Sequence, residues 1–265
     1  MLAAVLTLTP RDGCGPGKTA IVLSGLITGA AILVRPSMIF FVPFAALWLL
    51  VRGRGPAIAA AGRAALFVIV AALCVLPWMA RNHAAYGRWM IASEGGVTFW
   101  TGNHPLAHGE GDLAANPQLE RADLAFRVAH PGLTPEQLEP LYYRAALDWI
   151  RAHPGEWTIL LARKAFYSVV PMGASYAIHS PRYRIASVVS YLVALAAAIA
   201  GLWRWRTDRR RSALRAPVAL WLAAAATVAA GLVFMPQERF RIPVVDPALL
   251  VTGAFLAAPR RDPHA

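Results

Sequence analysis

Charged side chains are scarce in this chain. Only 15% of its 265 residues are charged, whereas 57% are hydrophobic. A soluble globular domain carries about 25% charged residues, so the composition argues against an ordinary soluble domain. The apolar residues gather in blocks of about 15 to 20, the length of a membrane span. We therefore expect an all-α polytopic membrane protein.

Cysteines and acidic side chains are also few. The only cysteines, Cys14 and Cys74, lie in a Gly-rich loop and an apolar block, and imply neither a disulfide nor a metal site. Fourteen acids face 26 basic residues, giving a formal net charge of +12. The basic residues cluster in short loops between apolar blocks, without the interleaved aromatics of a nucleic-acid surface. No nucleic-acid partner is expected; the expected partner is a lipid bilayer.

The apolar blocks predict how often the chain crosses the bilayer. Arg163 and Lys164 sit in the middle of one block, 158–172, where a true span would be strongly destabilised. That block should be an interfacial or re-entrant helix, which leaves a bundle of about five or six transmembrane helices. The predicted blocks are 19–34, 37–51, 64–80, 158–172, 184–203, 217–235 and 243–258.

The distribution of charge predicts which side each loop faces. Arginines crowd the loops after residues 51 and 203, and such loops are cytoplasmic in membrane proteins. The segment 81–157 instead holds nine of the fourteen acids. The predicted organisation is therefore N-terminal membrane helices in 1–80, an extracytoplasmic segment 81–157, the helix 158–172, and C-terminal membrane helices in 184–258. A bacterial inner membrane is the expected location.

Local signals place a break and a helix. The pair Arg35-Pro36 interrupts the first long apolar stretch, because the residue before proline resists the helical region. In the external segment, Thr134, Pro135 and Gln137 form a capping box that begins a helix ending before Pro154. Residues 94–117, rich in Gly, Asn and Pro, are predicted to form a loop.

Cations at the predicted outer face are the candidate binding residues. Arg239 and Arg241 lie in a very short external loop, and arginine suits phosphate because its planar fork donates two parallel hydrogen bonds. They could hold an anionic lipid head or sugar phosphate, or one could simply pair with Glu238. The other outer cations are interfacial anchors or the rim of a cavity for a phosphorylated lipid: Arg35, Arg81, Lys164 and its neighbour Arg163.

Two further motifs are interpreted as ordinary loops. Residues 12–19 nearly spell a phosphate-binding P-loop, but Asp12 stands where glycine is required and an all-apolar block follows. His104 and His108 have the spacing of a zinc pair on a helix, yet Pro105 and Gly109 oppose a helix there. No metal site is assigned.

The order of several motifs resembles the family-39 type of GT-C glycosyltransferases, which includes dolichyl-phosphate-mannose–protein mannosyltransferases and bacterial lipid-glycan-modifying enzymes. The resemblance covers about residues 25 to 247, which correspond to the later, C-terminal half of such an enzyme. It is carried by Gly29 to Pro36, Leu76-Pro-Trp-Met-Ala-Arg-Asn82 with Gly87, Thr101-Gly-Asn-His-Pro105, Tyr142 to Pro154 with Lys164, and Glu238-Arg-Phe-Arg-Ile-Pro243.

This resemblance implies transfer of a sugar from a polyprenyl-phosphate-linked donor to an extracytoplasmic acceptor. It implies a carboxylate that activates the acceptor hydroxyl and cations, sometimes with a divalent metal, that stabilise the departing phosphate. The family places its key Asp in the first external loop, whereas here the only acid before Glu94 is Asp12. We therefore expect a truncated chain that lacks the catalytic Asp and the N-terminal half of the enzyme and is inactive alone.

The alternative is a non-enzymatic membrane protein, such as a transporter or an assembly subunit. Transporters usually carry polar residues near the membrane midplane and internal repeats. The sequence shows no repeat, and its apolar blocks are almost free of charge. The large external segment favours an enzyme that handles its substrate outside the membrane.

Overall fold

The computed structural model describes residues 16–52, 56–111, 113–170, 180–208 and 215–237, together with Ala4, Leu8, Val245, Ala248 and Leu249. The predicted all-α class is confirmed over these residues, which form helices and no strand. The α-helices are α1 (Lys18–Val34), α2 (Phe41–Arg52), α3 (Ala57–Tyr86), α4 (Gly95–Gly102), α5 (Pro117–Val128), α6 (Pro135–Ala152), α7 (Pro154–Val169), α8 (Pro181–Asp208) and α9 (Arg215–Val233).

The predicted break in the first apolar stretch is confirmed. α1 ends at Val34, and Arg35 is extended, with φ −147° and ψ 104°. A 3₁₀ turn, Pro36–Phe40, then leads into α2. The proline explains the break, since its ring disfavours the helical conformation of the residue before it. α1 and α2 both pack on α3, around a core that includes Ile21, Phe41, Ala45, Leu49 and Phe67.

Among the residues that the structure describes, two helices are long and apolar enough to cross a membrane, within Ala57–Tyr86 and Pro181–Gly201. Three shorter apolar helices accompany them: Lys18–Val34, Pro36–Val51 and Trp221–Val233. α3 also extends past the predicted block 64–80 at both ends. Large apolar side chains on these helices point away from the protein, such as Ile58, Ile69 and Leu73 on α3, each more than half exposed.

The segment predicted to be external is more helical than the sequence indicated. The prediction of a loop at 94–117 is wrong for α4, whose residues Val97 and Trp100 pack into an apolar cluster with Tyr142 of α6. Burial of these side chains outweighs the low helix propensity of the flanking glycines. α5 follows the N-cap Asn116, whose side chain accepts a hydrogen bond from Leu119 N.

The capped helix predicted after Thr134 is confirmed as α6. Thr134 N donates a 2.9 Å hydrogen bond to Gln137 Oε1, and His153 is the C-cap. The block predicted at 158–172 corresponds to α7, which packs against α9. α7 buries Leu160, Lys164 and Ser168 and exposes Ile159 and Phe166. The block 243–258 lies almost wholly outside the described residues.

Candidate functional site

A cavity of about 1220 Å³ lies where the ends of five elements meet. Its wall is formed by the break between α1 and α2, the end of α3 with the segment that follows, α4, α6, and the end of α9. The predicted outer ends of the apolar helices and part of the predicted external segment therefore meet around one space.

The wall is amphipathic. Among the residues that the structure describes, its charged residues are four arginines and two glutamates: Arg35, Arg88, Arg144, Arg151, Glu94 and Glu139. Two aromatic rings, Phe40 and Phe234, meet edge to face on the apolar side, with centroids 6.1 Å apart. A cavity of this kind suits a ligand that has both an anionic group and a hydrocarbon part.

Arg35 reaches the cavity because of the helix break. It is half-buried on the wall, and its Nε donates a 3.1 Å hydrogen bond to Ser37 Oγ. Of the five cations predicted as phosphate ligands, Arg35 is brought to the cavity.

Glu139 is the buried carboxylate of the wall, with only 8% of its surface exposed. Its Oε1 accepts a hydrogen bond of 3.2 Å from Gly96 N. Burial raises the pKa of Glu139 above its ordinary value, while the amides of Gly96 and Gly95 and the charge of Arg88 oppose the rise. Burial, together with the charge of Glu139, also raises the pKa of the neighbouring Tyr143.

Two glycines allow α4 to lie against this part of α6. A Cβ on Gly96 would overlap the carbonyl oxygen of Glu139, and a Cβ on Gly95 would lie 2.7 Å from Tyr143 Oη. A larger residue at Gly96 would push the helix backbones apart, whereas at Gly95 the ends of the Tyr143 and Glu139 side chains would have to shift. Gly96 thus sets how closely its own amide approaches the buried carboxylate.

Lys164 lies beside the cavity rather than on its wall. Its side chain is fully buried, and Nζ donates to Asn103 Oδ1 at 3.0 Å and to the carbonyl oxygen of Leu232 at 3.1 Å. Trp157 Nε1 donates to the same Asn103 oxygen at 3.0 Å. Burial lowers the pKa of Lys164 to about 7. In this arrangement Lys164 joins α4, α7 and α9.

Arg81 is also not among the described residues that line the cavity. Its guanidinium lies over the rings of Trp78, at 5.1 Å, and Tyr86, at 5.8 Å. Its Nη1 donates to Asn82 Oδ1 at 3.0 Å. These contacts fit the interfacial anchor that the sequence left open as an alternative.

Arg239 and Arg241 lie outside the described residues, so their role as phosphate ligands stays a prediction. The chain before them does reach the cavity. Gln237 lines the wall, and its Nε2 donates a 2.7 Å hydrogen bond to the carbonyl oxygen of Gly111.

The histidine pair shows no metal geometry in the described part of the chain. His104 packs on Trp100 with ring centroids 4.4 Å apart, and its Nδ1 accepts a hydrogen bond from Leu106 N. Burial lowers the pKa of His104. Among the residues that the structure describes, no group of three or more potential ligands could hold a metal ion.

Sequence reasoning missed the second face of α6. The apolar stripe through Leu138 and Tyr142 packs against α4 and α5. The neighbouring stripe, Glu139, Tyr143, Leu147 and Arg151, lines the cavity instead. The spacing of about four residues identifies these positions as one face of a helix. Because the face mixes charged, aromatic and aliphatic side chains, it could not be told from an ordinary solvent-exposed surface.

Comparisons with models of known protein families, with curated proteins and with solved structures found no match to this chain.

Proposed function

We propose that this chain is a GT-C-type membrane glycosyltransferase that binds a polyprenyl-phosphate-linked sugar in the cavity and transfers the sugar to an extracytoplasmic acceptor. The apolar helices form a bundle of about five or six spans in a bacterial inner membrane, with residues 81–157 on the outer side. The single observation that carries the proposal is the amphipathic cavity at the meeting point of those helices and the external segment.

The charge of the cavity supports a phosphate ligand. Arg35 and Arg88 are half-buried on its wall, where a phosphodiester would meet reduced competition from water. Four arginines outnumber two glutamates there. Such cations also stabilise the extra negative charge that develops on a departing phosphate.

The apolar lining supports a lipid tail. Ile39 and Phe40 of the 3₁₀ turn and Phe234 after α9 contribute apolar surface close to Arg35. All three belong to segments that adjoin apolar helices. A prenyl chain lying along the bundle could therefore bring its phosphate to the arginines without leaving apolar surroundings.

The remaining wall suits a sugar. Trp89, Tyr143 and Thr98 provide aromatic and hydroxyl groups, and Glu139 provides a buried hydrogen-bond acceptor. Few precisely placed polar groups in a largely apolar cavity are the usual composition of a small-ligand site.

Binding of polyprenyl phosphate to the purified chain in lipid nanodiscs tests the proposal. We expect saturable binding that Arg35→Ala and Arg88→Ala each weaken about 10- to 100-fold, since a charge-assisted hydrogen bond contributes about 1.5–3 kcal/mol. Arg121→Ala is the matched control, because Arg121 is exposed on α5 and does not line the cavity. A dephosphorylated polyprenol should bind far more weakly.

Two results would contradict the proposal. One is the absence of saturable polyprenyl phosphate binding by the wild-type chain. The other is equal weakening by Arg121→Ala and by both cavity variants, which would indicate a diffuse effect of positive charge. Arg81→Ala should weaken lipid binding less than Arg35→Ala does, since Arg35 lines the cavity and Arg81 stacks on Trp78.

A further inference from the structure

Transfer to a hydroxyl group requires a base, because a neutral hydroxyl is a weak nucleophile and must lose its proton as it attacks. From the sequence we expected a chain that lacks the catalytic Asp of the resembled family and is inactive alone, and a base elsewhere in the cavity would overturn that expectation. The cavity wall, however, includes two carboxylates among the described residues, Glu94 and Glu139.

The two glutamates differ in how deeply they are buried. Glu94 is exposed at the N-terminus of α4, whereas Glu139 is 8% exposed. A base that takes a proton in a dry site has fewer competing water molecules and acts on a bound hydroxyl rather than on solvent. Glu139 is therefore the better placed of the two.

The orientation of Glu139 is fixed from two sides. It belongs to α6, which is held by the apolar cluster of Leu138, Tyr142 and Ala146. Its Oε1 accepts a hydrogen bond from Gly96 N, which holds the carboxylate at the start of α4. Because a carboxylate has about four lone-pair positions, one such bond leaves capacity for an acceptor hydroxyl.

The surrounding groups shift the pKa of the Glu139 carboxylate. Arg88 favours its ionised form, and Glu136 on the same helix opposes it. Tyr143, one turn further along α6, faces the same region, as does the exposed Glu94. The pKa of Glu139 is raised mainly by burial, and a carboxylate with a raised pKa is a stronger base than an ordinary one.

Resting on the proposed sugar transfer, we propose that Glu139 is the catalytic base of the cavity. Its carboxylate accepts the proton of the acceptor hydroxyl as the hydroxyl oxygen forms a bond to the anomeric carbon. The bond from that carbon to the phosphate oxygen breaks, and its electron pair leaves with polyprenyl phosphate. The proton on Glu139 then passes to water or to the released phosphate.

The arginines of the wall complete the step. The donor is a phosphodiester with one negative charge, and the released phosphate monoester gains a second charge unless it is protonated. Arg35 and Arg88 would stabilise that added charge. The acceptor class is an alcohol, such as a hydroxyl of a saccharide or of a hydroxyl-bearing side chain.

A structural role for Glu139 can be separated from a catalytic one. Glu139→Gln keeps an oxygen that accepts from the Gly96 amide, so the contact between α4 and α6 should survive. The amide side chain cannot take up a proton at neutral pH. This variant therefore removes the base and leaves the hydrogen-bond acceptor, and Glu120→Gln on the exposed face of α5 is its control.

The experiment uses the full chain in nanodiscs with a panel of radiolabelled polyprenyl-phosphate hexoses and pentoses, and with water or a methyl glycoside as acceptor. Lipid binding and release of polyprenyl phosphate are measured separately. We expect Glu139→Gln to bind the lipid within about threefold of wild type and to lose at least about 100-fold in release rate. Added formate should restore part of the rate, and Glu120→Gln should behave as wild type.

The possible failures are distinct. Release by Glu139→Gln within about threefold of wild type overturns the role of Glu139 and leaves the proposed function standing. Lipid binding without any release by the wild-type chain also overturns the role of Glu139, while donor binding stands. If no lipid in the panel binds to the wild-type chain, the proposed function itself is wrong.

Discussion

Lys164 Nζ lies 3.0 Å from Asn103 Oδ1, although the two residues are 61 positions apart in the sequence. Asn103 in turn donates from Nδ2 to the carbonyl oxygens of Phe99 and Val233, both at 2.9 Å. One asparagine thus connects α4, α7 and the end of α9 beside the cavity. A buried network of this kind stabilises the arrangement only if all its members are satisfied.

The burial of Lys164 should make stability depend on pH. Its pKa is lowered to about 7 in the folded chain, against about 10.4 when unfolded. Between these values the unfolded chain binds more protons, so stability should rise with pH by up to about 1.4 kcal/mol per unit. Thermal unfolding in detergent between pH 6 and about 10 measures the rise. Lys164→Met should flatten it.

Lys18→Met is the matched control for that series, because Lys18 is exposed at the start of α1. It should retain the wild-type dependence on pH. A wild-type melting temperature that falls steadily from pH 7 upward, or an unchanged slope in Lys164→Met, would show that Lys164 is not held as a buried amine.

Close contact at Gly102 should make that position intolerant of a side chain. A Cβ there would overlap the carbonyl oxygen of Phe234. Gly102→Ala should therefore lower the free energy of unfolding by about 1–3 kcal/mol, the usual effect of overpacking. Gly155→Ala, on α7 with nothing near its added Cβ, should have little effect. Equal melting temperatures for the two variants would contradict the packing of α4 against the end of α9.

The hydrogen bond from Tyr142 to Asp123 should stabilise the contact between α5 and α6. Tyr142 Oη donates to Asp123 Oδ1 at 2.6 Å, and Arg127 pairs with the other carboxylate oxygen at 3.1 Å. Tyr142→Phe should lower stability by about 1.5–3 kcal/mol, since the acceptor is charged. Faster tryptic cleavage at Arg127 would report this loss, whereas Tyr86→Phe, at an exposed site, should be cleaved at the wild-type rate.

The proposed outward orientation of residues 81–157 is testable in intact cells. A single cysteine at the exposed position His108 should react with a membrane-impermeant maleimide without permeabilisation, in a chain whose native cysteines are replaced. Lys18→Cys, at the end of α1 that lies away from the cavity, should react only after permeabilisation. The reversed pattern would put the cavity on the cytoplasmic side.

Local signals in the sequence were sufficient to predict where several helices begin or end. Pro36 made the break at Arg35 predictable, and the box of Thr134 and Gln137 fixed the start of α6. Such signals depend on residues that are adjacent in sequence. The start of α5 carried a similar signal, with Asn116 as N-cap before Pro117, and could have been found in the same way.

The cavity could not be predicted in this way, because it depends on contacts between distant segments. The glycines at 95 and 96 indicated a loop by propensity, yet Gly96 is required for α4 to approach the backbone of Glu139 closely. Similarly, Lys164 and Arg81 had the chemistry of phosphate ligands. In the structure, however, Lys164 donates a hydrogen bond to Asn103 and Arg81 stacks on Trp78. Helix propensity and charge are properties of a single residue, whereas the interaction partners of its side chain depend on how distant segments pack together.

Photocrosslinking tests the central claim, that a lipid phosphate occupies the cavity. A polyprenyl phosphate with a photoreactive group in its first prenyl unit is added to the chain in nanodiscs, irradiated, and its adducts are located by mass spectrometry. We predict adducts at the wall residues Phe40, Val97 and Phe234, which excess unlabelled polyprenyl phosphate abolishes. Adducts confined to the outward apolar face of α3, at Ile69 and Leu73, and insensitive to competitor would contradict it.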